Sequence, residues 1–190
     1  SFPATALVTL TATPGTNSVF TGWSGACTGL TTCTVDMGAS RSVTANFDAD
    51  VRPLTVSLVG TGGGAVSSNP AGIFCLSGNC TANFTVGPLA QHSAAANATS
   101  NFSGWSGGGC VGTGTCLVPL NAATTVTATF TLKNFNLSVS GAGAGGGAVS
   151  SVPAGMNCTS TAGTVSGTCS QAYASGSLVG LFAAPNSHST

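Results

Sequence analysis

Catalysis in this chain would have to depend on very few ionisable side chains. The 190 residues include three basic residues, three acidic residues (Asp36, Asp48 and Asp50) and two histidines. A hydrolytic triad needs a nucleophile, a base and an orienting acid within hydrogen-bond reach, and no Asp recurs in register with His92 or His188. Paired carboxylates for glycoside chemistry would have to come from the same three Asp residues. We therefore expect these groups to be solvated surface residues and the protein not to be an enzyme.

Binding chemistry is restricted in the same way. Nucleic-acid affinity requires clustered Lys and Arg, so the balanced, 3% charged composition predicts no nucleic-acid partner. The glycine triplets 62–64 and 145–147 run into Ala-Val-Ser-Ser instead of a Lys-Ser or Lys-Thr pair, which argues against a phosphate loop. We interpret both triplets as turns or bulges that need positive φ angles.

The eight cysteines lie in four close pairs along a chain rich in Ser, Thr and Gly: Cys27 and Cys33, Cys75 and Cys80, Cys110 and Cys116, Cys158 and Cys169. An even number of closely paired cysteines is typical of disulfides formed in an oxidising compartment. Zinc sites use shorter Cys spacings or nearby His ligands, which this chain lacks, so we expect neither a metal nor a cofactor. Eight cysteines nevertheless allow 105 pairings.

An internal repeat of about 83 residues organises the chain. The stretches 54–75 and 137–158 are identical at 15 of 22 positions, and the Phe-x-Gly-Trp-Ser-Gly motif at Phe20 recurs at Phe102. Each period has a front half and a back half. The front half comprises a strand, a triple-glycine turn, a Pro-Ala-Gly turn and a Cys pair, and the back half holds the Trp motif, a second Cys pair and a Val-Thr-Ala-x-Phe strand.

The same alignment gives the domain organisation. Residues 54–130 hold one complete copy, which we call the central repeat. Residues 1–47 hold only a back half (the N-terminal half-repeat), and residues 137–190 hold only a front half (the C-terminal half-repeat). Residues 48–53 and 131–136 are predicted linkers that carry four of the six charges.

The repeat also selects one disulfide pairing, because each cysteine pair recurs as a unit. We predict Cys27–Cys33, Cys75–Cys80, Cys110–Cys116 and Cys158–Cys169. Trp23 and Trp105 stand just before a Cys pair. We interpret them as core residues packed against a disulfide, the alternative being an exposed platform for sugars.

The secondary structure is predicted to be entirely β. Residues 7–13, 43–47 and 124–131 alternate apolar and polar side chains with a period of two, which is typical of strands with one buried face. Gly, Pro and Asn clusters separate such runs. No segment has a helical apolar stripe with caps, and no apolar stretch approaches the ~20 residues that span a membrane.

Taken together, these motifs resemble the divergent internalin-type B-repeat, a bacterial extracellular tandem repeat module. The resemblance implies a compact β fold related to the β-grasp. Together with the repeat and the Cys pairs, it predicts an all-β chain of tandem small β modules, β-grasp-like or sandwich-like, linked by disulfides and with half-modules at both ends. It also implies an extracellular location, on the cell surface or secreted, and a spacer, stalk or interaction role without catalysis. The chain departs from the pattern between Cys158 and Cys169, where ten residues replace the four between Cys75 and Cys80.

A structural role in a surface filament is the function that these features favour. A nearly uncharged β surface repels its own copies weakly, and an incomplete β module leaves an unpaired edge and an exposed apolar face. We therefore expect head-to-tail association with copies of itself, in which one half-repeat completes the other. The expected interface comprises Phe20, Trp23, Val43 and Phe47 from one chain and Leu137, Val139, Val149 and Tyr173 from the next.

Two other interpretations stay open at this point. The chain could be a spacer or adhesin segment of a longer monomeric surface protein, in which the same contacts form within one polypeptide. A carbohydrate-binding module is a further alternative, and it depends on the two Trp residues alone. Because the chain starts at Ser1 and not at Met, the simplest interpretation is a mature or trimmed product.

Overall fold

The fold is all-β. The computed structural model describes Pro3 and residues 6–187, which form eighteen strands in six sheets. Within these residues there is no helix long and apolar enough to cross a membrane. The prediction of an all-β, disulfide-stapled chain of small modules is confirmed, and His188, one of the two candidate histidines, lies outside the described residues.

The central repeat contains eight strands. They are β5 (Val51–Gly60), β6 (Gly64–Asn69), β7 (Phe74–Cys75), β8 (Asn79–Thr85), β9 (Leu89–Ala96), β10 (Ser100–Ser106), β11 (Cys116–Pro119) and β12 (Thr124–Leu132). Two four-stranded sheets form, with the orders β10-β12-β5-β8 and β11-β9-β6-β7. Each sheet takes two strands from the front half and two from the back half, so neither half forms a complete sheet alone.

The two halves are joined at the middle of both sheets. In one sheet β5 and β12 pair in parallel, with Val126 opposite Val56, and in the other β6 and β9 pair antiparallel, with Val66 opposite Ala94. Alternating side chains of these strands point to a common core, as the period-two pattern predicts. The core comprises Leu54, Val56, Val66, Ile73, Cys75, Phe84, Ala90, Trp105, Cys110, Cys116, Val118, Leu120, Val126, Ala128 and Phe130.

The N-terminal half-repeat contains back-half strands only. These are β1 (Leu7–Leu10), β2 (Ser18–Gly25), β3 (Cys33–Asp36) and β4 (Val43–Ala49). They form two separate two-stranded sheets, β1 with β3 and β2 with β4. A small core of Trp23, Cys33 and Val35 lies between them.

The C-terminal half-repeat contains β13 (Asn134–Ser138), β14 (Gly146–Val152), β15 (Asn157–Thr161), β16 (Thr164–Thr168), β17 (Ser170–Ala174) and β18 (Gly180–Pro185). One sheet pairs β13 with β17, and the other has the order β16-β15-β14-β18. The enlarged loop between Cys158 and Cys169 supplies β16, which extends β15 into a hairpin.

The predicted linkers are largely strand in the structure. Only Asp50 separates β4 from β5, and only Lys133 separates β12 from β13. Asp50 donates its backbone N–H to Asn17 and accepts a hydrogen bond from Val86. Both junctions are thus held by main-chain hydrogen bonds, since Lys133 likewise donates to the carbonyl of Thr99.

The glycine triplets were predicted to need positive φ angles, but the structure gives another physical reason for glycine at these positions. Positive φ angles occur at Gly60 and Gly143, and not within either triplet. At Gly64 a Cβ atom would lie 2.5 Å from the carbonyl oxygen of Ala95, and at Gly62 it would lie 2.6 Å from the carbonyl carbon of Thr131. The triplet is needed because neighbouring backbone approaches closely, not because the turn is left-handed.

Four disulfides link cysteines that are neighbours along the sequence: Cys27–Cys33, Cys75–Cys80, Cys110–Cys116 and Cys158–Cys169. Their Cα–Cα distances are 5.9, 5.7, 5.3 and 4.6 Å, respectively. None of the cysteines is free. Each front half and each back half is therefore cross-linked by one disulfide of its own.

Candidate functional site

His92 is not a solvated surface residue, as the sequence had suggested, but a core residue. Its side chain is 0% exposed, because β9 lies in the middle of a sheet and turns this position inwards. Desolvation by burial lowers the pKa of His92, and backbone groups of Ala90 and Cys116 act weakly in the opposite direction. Neither ring nitrogen makes a hydrogen bond of normal geometry. The ring is therefore a neutral, buried core group with no acid beside it.

The acidic residues do not assemble into a catalytic or metal site. The side chain of Asp36 accepts a hydrogen bond from the backbone of Gly38 at 3.0 Å, and Asp50 forms an ion pair with Arg52. Across Pro3 and residues 6–187, no three potential metal-ligating side chains come together. These groups have local structural roles.

Both tryptophans lie in the core. Trp23 is 8% exposed and Trp105 is 5% exposed. Each indole Nε1 donates a 2.7 Å hydrogen bond to a loop carbonyl, that of Thr31 or of Gly114. Because the rings are buried and their N–H groups are already paired, they do not present the exposed faces that stacking on a sugar requires.

The two half-repeats correspond strand for strand to parts of the central repeat. The pairs β1–β3 and β2–β4 have the registers of β9–β11 and β10–β12, including the same irregularity after Phe20 and Phe102. The strands β13 and β14 correspond to β5 and β6 by the repeat offset, and β17 corresponds to β8 because it pairs with β13 in the register in which β8 pairs with β5. Within the described residues, β1 and β4 therefore lack the neighbours that β9 and β12 have in β6 and β5, and β13 lacks the neighbour that β5 has in β12.

An open apolar groove marks the missing partners of the N-terminal half-repeat. It has a volume of about 220 Å³ and is lined by Val8, Leu10, Val35, Met37, Arg41 and Val43. In the central repeat, the counterparts of the five apolar groove residues are all buried; they are Ala90, His92, Val118, Leu120 and Val126. The groove is thus the open counterpart of a filled core.

The aromatic stack shows the same difference. Phe20 packs at 5.2 Å from Trp23 and 5.4 Å from Phe47, measured between ring centroids. In the central repeat Phe102 makes the equivalent contacts at 5.0 and 5.2 Å, to Trp105 and Phe130. Yet Phe47 is 44% exposed, whereas Phe130 is 1% exposed. The contacts among the three rings are thus the same in both repeats, but Phe47 is not covered by a further segment as Phe130 is.

The C-terminal half-repeat has a complementary open face. A groove of about 310 Å³ is lined by Phe135, Leu137, Tyr173 and Val179, among others. Leu137, Val139 and Val149 are half-buried. Their counterparts in the central repeat are buried, namely Leu54, Val56 and Val66. Phe84, the counterpart of Tyr173, is buried as well.

The eight residues expected at an interface thus divide into two groups of four, one in each half-repeat. Sequence reasoning missed the groove residues Val8, Leu10, Val35 and Met37. The signal for the first three was present, because the alternation along β1 and β3 repeats that of β9 and β11 one period later. Arg41 is the charged side chain at this groove, and its Nε donates to the carbonyl oxygen of Asp36 at 3.3 Å.

Comparisons with known proteins agree with the sequence motifs. Residues 4–51 match the family model of the divergent InlB B-repeat domain. No curated protein matches the chain. Among solved structures, the Bacillus anthracis TIE protein superposes with a TM-score of 0.46 at 9% sequence identity, covering 89% of this chain and 36% of that one.

A match to this repeat-domain family and a disulfide-rich all-β fold are typical of structural modules in extracellular or surface proteins. The matched segment ends where β5 begins, so it coincides with the N-terminal half-repeat and its junction. Residues 4–51 are therefore similar to the divergent InlB B-repeat, which confirms the resemblance for this part of the chain.

Proposed function

We propose that this chain is an extracellular structural protein that forms a surface filament by head-to-tail complementation of its half-repeats. The N-terminal half-repeat of one copy docks on the C-terminal half-repeat of the next. Together they rebuild a complete repeat like residues 54–130. The repeat boundaries given above are part of this proposal.

The observation that carries the proposal is the matched pair of open faces. Nearly every apolar residue that is exposed or half-buried at these faces has a counterpart that is buried in the central repeat. The central repeat shows what covers each face, since its front half covers its back half. A second copy of this chain carries a related covering segment, which is identical to that of the central repeat at 15 of the 22 positions of 54–75 and 137–158.

The central repeat also gives the register of the docked pair. Val126 lies opposite Val56 in the parallel pairing of β12 with β5. Shifted by one repeat, this pairing places Val43 of β4 opposite Val139, which directly follows β13 in the next copy. Complete docking would cover Phe47, and burial of the exposed part of this ring contributes about 1 kcal/mol.

The chemistry of the surface favours such association. Charged residues make up 3% of the chain and the formal net charge is zero, so long-range repulsion between copies is small. The two docking faces differ from each other. A contact between unlike faces is heterologous and propagates into an open polymer when its rotation does not close a ring.

Deletion of residues 1–47 tests the proposal. The shortened chain keeps β5–β12 and should fold, but it lacks one docking face and should form no filaments under conditions in which the full chain does. A matched control replaces Leu117, which is exposed on β11 away from both faces, by Ser. Filaments of the shortened chain, seen by electron microscopy, would contradict head-to-tail complementation.

The second candidate is a spacer or adhesin segment within a longer surface protein. The tandem arrangement and the hydrogen-bonded single-residue junctions at Asp50 and Lys133 favour it. In that case the half-repeats are completed by flanking segments of the same polypeptide. A full chain that stays monomeric at high concentration would support this candidate over the filament.

A further inference from the structure

Within each chain, β18 pairs with one edge of β14. We propose that β1 of the next copy displaces β18 from this edge, so that copies join by strand exchange. This inference depends on the filament function proposed above. It adds a step to the proposed assembly, because the β14 edge of the otherwise open C-terminal face is occupied by β18, which must leave before the incoming strand can pair.

The registers show that β18 and β1 compete for one position. In the central repeat, β9 pairs with β6 so that His92 lies opposite Ser68. In the C-terminal half-repeat, Leu181 of β18 lies opposite Ser151, the counterpart of Ser68. In the N-terminal half-repeat, Leu10 lies opposite Cys33, as His92 lies opposite Cys116. Leu10 and Leu181 thus hold the same place in the repeat.

The sequences of the two strands agree with this equivalence. Residues 10–14 are Leu-Thr-Ala-Thr-Pro, and residues 181–185 are Leu-Phe-Ala-Ala-Pro. The shared Leu, Ala and Pro fall at the positions that face Ser151, Val149 and Gly147 in the pairing of β18 with β14. An incoming segment 10–14, which begins at the last residue of β1 and continues beyond it, can therefore pair with β14 in the same register.

The edge of β1 that would make this pairing is open. Within the described residues, β1 has β3 as its single neighbour, whereas its counterpart β9 lies between β11 and β6. The free edge of β1 corresponds to the edge of β9 that binds β6. The strand that corresponds to β6 in the C-terminal half-repeat is β14.

Burial indicates which strand is the better occupant. All six residues of β18 are exposed, including Phe182 at 58%. By contrast, Leu10 packs against the cluster of Trp23, Cys33 and Val35. Displacing β18 gives up main-chain hydrogen bonds and little apolar burial. The incoming β1 restores those hydrogen bonds, and its apolar side chains remain packed against the core of its own half-repeat.

Tethering β18 to β14 tests the exchange. Ala148 of β14 lies opposite Ala184 of β18 on one side and opposite Thr159 of β15 on the other. The variant Ala148→Cys with Ala184→Cys should form a disulfide that holds β18 in place and abolishes filament growth. The matched control, Ala148→Cys with Thr159→Cys, tethers the neighbour that does not move and should still form filaments. Mass spectrometry establishes that each new disulfide is present.

A second pair reports the exchanged state directly. By the register of the central repeat, Thr13, which follows β1 in the incoming chain, should lie opposite Ala148, as Ala95 lies opposite Ala65. A mixture of chains carrying Thr13→Cys and chains carrying Ala148→Cys should give a disulfide between copies, located by peptide mapping.

The outcomes separate this inference from the proposed function. Filaments of the β18-tethered variant in the same yield as the control would overturn strand exchange and leave head-to-tail assembly standing. The same holds if filaments form without the Thr13–Ala148 cross-link. A wild-type chain that forms no filaments would overturn the proposed function, and strand exchange with it.

Discussion

Replacing His92 by leucine is expected to stabilise the central repeat. The imidazole is 0% exposed and neither nitrogen makes a hydrogen bond of normal geometry, and a buried polar group that is poorly hydrogen-bonded costs up to about 1–3 kcal/mol. Leucine already stands at the equivalent positions Leu10 and Leu181. A hydrophobic side chain of similar volume introduces a packing cost below about 1.5 kcal/mol. We expect a net gain of about 1–2 kcal/mol at pH 7.

The pH dependence of stability should change as well. Burial holds the pKa of His92 in the folded protein below its ordinary value of 6.5, so the unfolded chain takes up this proton first as the pH falls. The free energy of unfolding of the wild type should therefore decrease below pH 6.5, by up to about 1.4 kcal/mol per pH unit, until the folded-state pKa is reached. His92→Leu removes this contribution.

Urea unfolding between pH 5 and 8 measures both effects. The control His92→Asn keeps a buried polar side chain but has no titrating group, so it should lose the pH dependence without the gain at pH 7. All three proteins share His188 and the three Asp residues, whose contributions cancel in the comparison. A His92→Leu protein less stable than the wild type at pH 7, or equal slopes below pH 6.5 in all three proteins, would refute the reasoning.

Three further changes test the packing of the central repeat by thermal unfolding. Gly64→Ala should cost about 1–3 kcal/mol, because the new Cβ meets backbone and ring atoms, whereas Gly114→Ala, with nothing within 4 Å of its Cβ, should cost under about 1 kcal/mol. Equal effects of the two changes would contradict the close-approach explanation. Trp105→Phe should cost about 1–3 kcal/mol through the lost Nε1 hydrogen bond and reduced packing, and acrylamide should quench the wild-type Trp fluorescence poorly. Replacing Cys75 and Cys80 together by Ala should cost about 2 kcal/mol, since the closed loop is short, and an unchanged melting temperature would show that this disulfide does not stabilise the fold.

Much of the fold could be predicted because the repeat and the period-two pattern are local signals. The alternation at residues 43–47 and 124–131 placed β4 and β12 correctly. The parallel pairing of β5 with β12 could not be predicted in this way. It joins segments about 70 residues apart, and alternation fixes which face of a strand is buried but not which strand lies beside it.

The errors have physical causes of their own. His92 was misplaced because polarity predicts exposure, whereas the central position of β9 imposes burial. The glycine triplets were assigned to positive φ because glycine permits it. The structure uses the missing Cβ instead, so that the backbone of Ala95 and the ring of Phe130 can approach Gly64. Steric reasons of this kind appear only when the tertiary neighbours are known.

The open faces of the two half-repeats could be foreseen in part from the sequence, whereas their docking stays a prediction. Phe47 and Tyr173 followed from the repeat alone, because a half-repeat must leave exposed what a complete repeat buries. Met37 did not follow, because it lies beyond the end of β3 and its role depends on the groove it lines. Strand exchange required the registers of β1, β9 and β18.

The most direct test of head-to-tail complementation is a mixture of two variants, each blocked at one face. Phe47→Asp places a charge on the N-terminal face, and Val139→Asp places one on the C-terminal face. Each variant alone should sediment as a monomer in analytical ultracentrifugation. The equimolar mixture should form a 1:1 dimer and nothing larger, because only one compatible pair of faces remains. Polymers from either variant alone, or no dimer in the mixture when the wild type polymerises, would contradict the account.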